Sequence, residues 1–249
     1  MKIYRPIKTD FLSQKFGENK ACAKMENALV PVNPPQIIYK SALTCPIGYK
    51  DFYKLIGMVG HNGYDLGAWR GEPVYFNVDA DVEWEAATEV DKGGGIGVRV
   101  RSKQPVSFES LPKELNGPFQ LAKKQYEAQG GKLYIQFVFW HLKSVNVFDK
   151  QPVKLGQLLG YADSTGASSG DHLHFAPKAT DSTSWFTIDG DNGYTGAFDP
   201  TPWYENKFVL DVIRERIITE QLIPAQLTLI QLLNKYIYEL KQILKGRNL

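Results

Sequence analysis

The four histidines of this 249-residue chain, His61, His141, His172 and His174, are the side chains best suited to acid–base or metal chemistry near neutral pH. Two of them stand in GDHLHF, residues 170–175. Successive side chains alternate along a strand, so His172 and His174 share one face there, while Leu173 and Phe175 turn toward a core. Such a pair either offers two imidazoles to one centre or is simply solvated. His61 lies in GHNGYDLG, four residues before Asp65. On a helix that spacing would put both on one face. Gly60, Gly63 and Gly67 disfavour a helix interior, so a loop entering a strand is expected. His141 ends KLYIQFVFWHL. Strict alternation puts it on one face with Ile135, Phe137 and Phe139. Its plain reading is a strand-end histidine bonded to backbone.

Taken together the four change meaning, because each sits at a strand end or in a glycine-bounded loop. A catalytic zinc takes three nitrogen or oxygen ligands and keeps a fourth position open. His61, Asp65 and one histidine of the 172/174 pair would supply that set. The two remaining histidines would serve proton transfer and charge stabilisation.

Strands must position most of these residues. VYFNVDADVEWEAA alternates apolar and polar residues, Lys92 to Gly95 form a turn, and IGVRVRS alternates again. KLYIQFVFWHL is almost continuously apolar, which predicts a central strand covered on both faces. Residues 102–131 interrupt the pattern and read as an insertion. It carries one short helix around 118–129, closed by Gly130 and Gly131. From about Phe208 the pattern turns helical. Leu229, Ile230, Leu233, Tyr236, Ile237, Leu240 and Leu244 follow a 3.6-residue period. Pro224 predicts two helices there, roughly 207–222 and 224–246. Lys241, Lys245 and Arg247 lie near the last helix's C-terminal end, where cations suit the dipole. This segment reads as a helical hairpin on the body, or as an oligomerisation or docking element.

With 43% hydrophobic and 22% charged residues the chain has the composition of a globular protein. A net charge of +2 and no Lys/Arg run leave no reason to expect nucleic acid as a partner. No stretch reaches the ~18 apolar residues of a membrane span. The N-terminal MKIYRPIKTDFLSQKF lacks the apolar core of about 7–15 residues that an export signal needs. Cys22 and Cys45 either pair or stay reduced, and two cysteines are too few for a zinc site.

GHNGYDLG, FVFWHL and TGASSGDHLHF, in that order, resemble the signature of the lysostaphin-type zinc endopeptidases that cut peptidoglycan cross-bridges. KLGQLLGYADSTG resembles the family's approach to its His-x-His strand, FDP at 198–200 its closing element, and QKFGEN at 14–19 its opening strand. The resemblance covers about residues 10–205. It implies a mainly β fold: an antiparallel β-sheet or sandwich with a groove lined by loops. The helical insertion and the C-terminal helical hairpin would be added to this. The domain boundaries expected are 1–206 for the peptidase domain, with the 102–131 insertion, and 207–249 for the extension.

The resemblance also implies roles. His61, Asp65 and His174 would bind one Zn2+ per chain. His141 and His172 would activate the attacking water and stabilise the tetrahedral oxyanion. The substrate would be a peptide cross-link of bacterial peptidoglycan, and the place of action the bacterial cell wall. With no export signal visible, delivery by lysis or by a virus particle is expected. A non-catalytic wall-binding or structural module of the same fold is the alternative. Two departures from the family bear on the site. Ala176, Pro177 and Lys178 follow HLHF where an acidic residue and an alternating strand are usual, and Pro177 is expected to end or edge the strand. Asp171 stands where a proline is common, and the sequence gives it no role.

Overall fold

The computed structural model describes residues 1–18, 28–30, 36–38, 53, 57–91, 93–168, 170–182 and 185–246. Cys22 and Cys45, and Asn19, Lys92 and Ser169 of the motifs above, lie outside the described residues. The chain divides into two units, Met1–Val209 and Leu210–Leu249.

The first unit is built on a nine-stranded sheet whose ladders are all antiparallel. Its strands are β1 (Leu12–Gln14), β2 (Tyr64–Gly67), β3 (Pro73–Tyr75), β4 (Trp84–Asp91), β5 (Gly95–Ser102), β6 (Ile135–Val145), β7 (Pro152–Val153), β8 (Leu158–Ala162) and β9 (His172–Ala179). The main path runs β7-β4-β5-β6-β9-β2-β1, with β8 joining β6 to β3. The expected antiparallel, mainly β architecture is therefore observed. The apolar run at 132–142 is central, as expected, because β6 is paired on both sides.

One face of this sheet is an aromatic core. Phe175 stacks on Phe137 with ring centroids 5.6 Å apart and tilts against Phe139 at 5.3 Å. Leu66 and Leu173 are buried beside them. Fully burying each such side chain contributes about 1.5–3 kcal/mol, so this face fixes which way the alternate residues must point. The insertion joins the same core. It forms α1 (Lys113–Asn116) and α2 (Gln120–Ala128), and Phe108, Leu115, Phe119 and Ala122 are buried in the main cluster. Asp189 ties the start of α2, accepting from the Leu121 and Ala122 backbone N–H groups at 3.0 and 2.7 Å.

Pro177 does not end its strand, which continues to Ala179. β2 stops pairing with β9 at Phe175, and beyond that point the 197–198 segment lies on that side through an isolated bridge between Lys178 and Ala197. The Pro177 carbonyl accepts from Phe198 N–H on that side, so the missing proline N–H costs no ladder bond.

The extension is helical: α3 (Val209–Ile217), a π-helical turn over Ile218–Leu222, and α4 (Ile223–Gly246). The expected break at Pro224 into a hairpin is not seen. Helix continues from α3 into α4 through the wider π turn. Pro224 lies just past the π turn, an irregularity in the helical ladder at which a residue without a backbone donor is accommodated. No helix among the described residues is long and apolar enough to cross a membrane.

Candidate metal centre

The other face of the sheet carries the polar residues. In the β9–β2 ladder His174 lies opposite Asp65, and in the β6–β9 ladder Trp140 lies opposite His174. His61 reaches the same point from the loop before β2, as its flanking glycines suggested. Gly63 is needed here. A Cβ on it would lie 2.6 Å from the Phe175 carbonyl oxygen and 2.8 Å from His174 Cε1.

His61, Asp65 and His174 form a group whose ligand atoms lie within 4.8 Å of one another. His61 Nε2 is 3.1 Å from Asp65 Oδ1 and 3.1 Å from His174 Nδ1, and His174 Nδ1 is 2.9 Å from Asp65 Oδ1. Three ligands at zinc's usual ~2.0–2.1 Å and tetrahedral angles would be about 3.3 Å apart, close to this triangle.

Hydrogen-bond accounting points the same way. His61 Nδ1 lies 3.2 Å from the Lys15 carbonyl oxygen. A carbonyl only accepts, so Nδ1 carries the proton and Nε2 presents a lone pair. That lone pair faces a carboxylate oxygen. A proton held between them or a shared cation reconciles the two. Burial pulls the His61 pKa down, but Asp65 outweighs it and leaves it raised. Burial works against the Asp65 charge, yet His61 and His172 hold its carboxyl well below the usual range. Burial lowers His174 to about 4 despite its bond to Asp65, so it stays neutral and able to ligate. A nitrogen–oxygen–nitrogen set of this kind fits zinc.

His141 and His172 flank the triangle, with ring centroids 4.5 Å apart. His172 Nε2 is 3.5 Å from Asp65 Oδ1. Each Nδ1 is held by a carbonyl, that of Thr165 for His141 and that of Gly170 for His172, both at 2.7 Å. Both rings therefore donate from Nδ1 and turn Nε2 away from these bonds. Burial, reinforced by His172 and His174, lowers the His141 pKa to about 3.

His141 reaches this face against the expected alternation. Phe139 and Leu142 both lie in the core, although three positions apart they should point oppositely. The register of β6 shifts between these two residues against β5, and His141 adopts φ +63°. This bulge adds one residue to β6 and swings His141 off the Phe137/Phe139 face. A left-handed conformation costs a non-glycine residue roughly 1–2 kcal/mol. His141 N–H donates to the Gly94 carbonyl at 2.8 Å, and its carbonyl accepts from Asp163 N–H at 2.9 Å. The Asp163 carbonyl in turn accepts from His172 N–H at 3.1 Å, so one residue splices the two histidines together.

Several contributors escaped the sequence reading. Thr165 bonds the His141 ring through its carbonyl, and its hydroxyl donates to the Leu142 carbonyl at 2.7 Å. The Ser-Thr-Gly run at 164–166 was its only signal. Asp171 gains a partner: Arg70 is 3.4 Å from Asp171 Oδ1 and 2.9 Å from Asp163 Oδ1.

The profile of peptidase family M23 matches residues 121–184, the stretch that holds His141, His172 and His174. Among solved structures, the chain is similar to the catalytic domain of the antimicrobial peptidase lysostaphin from Staphylococcus simulans. Identity there is 23%, over 58% of this chain and 78% of that one, with a TM-score of 0.35. A zinc-containing peptidase from Vibrio cholerae is 17% identical over 75% of this chain and 41% of its own, with a TM-score of 0.39. The catalytic domain of a point mutant of the prophage-encoded M23 protein EnpA from Enterococcus faecalis is 15% identical over 57% of this chain and 77% of its own, with a TM-score of 0.33. No curated protein matches the chain. The family resemblance read from the motifs is thus borne out by an M23 profile over the segment that contains three of the four histidines.

Proposed function

We propose that this chain, whose residues 121–184 match peptidase family M23, is a zinc-dependent endopeptidase that hydrolyses peptide cross-links of bacterial peptidoglycan. The observation that carries the reading is the convergence of His61 Nε2, Asp65 Oδ1 and His174 Nδ1 beside two further imidazoles. His61, Asp65 and His174 would hold the ion. Zinc, when bound, supplies a Lewis acid that polarises the scissile carbonyl and makes water nucleophilic near neutral pH.

The remaining chemistry belongs to His141 and His172. Their Nδ1 protons are engaged by backbone carbonyls, so each Nε2 is preset to accept a proton from the attacking water. An imidazole that has taken this proton can give it to the departing amine or hold it against the tetrahedral oxyanion. The low His141 pKa keeps this ring neutral throughout the neutral range, with its Nε2 lone pair free to accept a hydrogen bond from the attacking water.

Digestion of purified walls of different cross-link type, followed by mass spectrometry of the muropeptides, tests the reading. Zinc-dependent release of cleaved cross-links is expected. Wall binding that survives chelation, with no cleavage of any muropeptide, would instead favour a non-catalytic module. We also read residues 207–249 as a self-association or docking element, since Leu229, Leu233 and Tyr236 are exposed along α4. Sedimentation of the full chain against one ending at 206 tests this. Equal masses per chain and equal wall binding would remove its basis.

A further inference from the structure

A metal-binding histidine usually donates its second ring nitrogen to an acceptor, which fixes the ring plane. His174 departs from this. Its Nδ1 points to Asp65, while its Nε2 is buried and has no hydrogen-bond partner among the described residues. Something other than a hydrogen bond must set the orientation of this ring.

Trp140 does so by contact. Its indole is stacked on the His174 imidazole, with centroids 5.0 Å apart and planes 15° apart. The indole is itself held from several sides. Its Nε1–H donates to Glu89. Lys178 Nζ lies 4.8 Å from the ring centroid. Beneath it, Gly94 and Gly97 leave the space it occupies. A Cβ on Gly94 would meet Trp140 Cδ2 at 2.7 Å, and one on Gly97 would meet Cδ1 at 2.6 Å.

We propose that Trp140 is a positioning residue for His174, its flat face fixing the ring plane that a hydrogen bond to Nε2 would otherwise fix. This rests on reading His61, Asp65 and His174 as the zinc set. Lys178 and Glu89 act through the indole, one by cation–π attraction and the other by fixing its rotation. The stacked face confines the imidazole without spending a donor or an acceptor. The two glycines of the β4–β5 turn and β5 are part of the same device.

Zinc affinity, measured by competition with a chelator, should separate Trp140→Phe from Trp140→Leu. Phenylalanine keeps a flat face and is expected to bind within a few-fold of wild type. Leucine fills space without a plane and is expected to bind 10–100-fold more weakly. The absorption spectrum of the Co2+-substituted protein should change in the leucine variant and not in the phenylalanine one. Wild-type affinity and spectrum in Trp140→Leu would overturn the proposal, whatever happened to its melting temperature. If that variant does not fold, Gly97→Ala decides, because its methyl group displaces the indole instead of removing it. Weaker zinc binding supports the proposal and unchanged binding overturns it. Wild-type protein that binds no zinc would overturn the reading of the ligand set as well, an outcome distinct from failure of the Trp140 argument alone.

Discussion

Strands β9 and β6 lie side by side and carry three of the four site histidines, yet they deliver them by opposite means. In β9 simple alternation suffices. His172 and His174 face the site while Leu173 and Phe175 sit in the core. In β6 the same rule puts His141 into the core with Phe137 and Phe139, and a one-residue bulge reverses this. Alternation is a property of one chain segment. A bulge is a property of how two segments pair, and its partner here is Gly94 in the turn that leads into the neighbouring strand.

The largest break in this comparison is on β9. His174→Ala is expected to take bound zinc from about one per chain to none and activity to background. Metal analysis of the purified variant checks this. Retention of stoichiometric zinc would show that His174 is not a ligand. Next come His141→Ala and His172→Ala, each expected to keep zinc and lose about 10²–10⁴-fold in turnover. A large difference between the two in zinc content would mean that one of them is a ligand. On the opposite face of β9, Phe175→Ala should cost roughly 3–5 kcal/mol by denaturant unfolding, because it empties an aromatic core position.

A smaller effect is the sharpest test, because its sign differs between the strands. At His141 the left-handed backbone favours glycine, so His141→Gly should be more stable than His141→Ala by about 1 kcal/mol. At His172, in ordinary extended backbone, glycine should be less stable than alanine by roughly 0.5–1 kcal/mol. Equal signs at both positions would argue against the bulge. Smallest is Arg70→Ala. Its ion pairs with Asp163 and Asp171 are solvent-screened, and a change within about 1 kcal/mol with unaltered zinc content is expected.

Much of the site was legible without coordinates. The His-x-His pair, the glycine-bounded His61 and Asp65, and the central apolar strand were all read in their observed places. Ligand chemistry singled out His61, Asp65 and one histidine of the 172/174 pair, the family resemblance implied His174, and these three are the side chains that converge. Three things were not legible. The face of His141 depends on a bulge. Trp140 looked like one more aromatic in an apolar run, because nothing local shows that a glycine of the neighbouring strand and one of the turn before it make room for it. The continuous C-terminal helix escaped because a π turn can carry a chain past a proline that local rules treat as a break.

By itself the sequence determined which atoms could act and which strands would carry them. Side-chain type and a period of two are written into every residue. It also determined, through Leu66, Phe137, Leu173 and Phe175, which face would be buried, because hydrophobic burial needs no partner of defined shape. Only the tertiary structure decided which lone pairs point at one another. Distances of about 3 Å between His61, Asp65 and His174 arise from ladder register between segments more than a hundred residues apart in the chain. Pairing across the sheet alone could turn His141 toward His172 and lay Trp140 flat on His174.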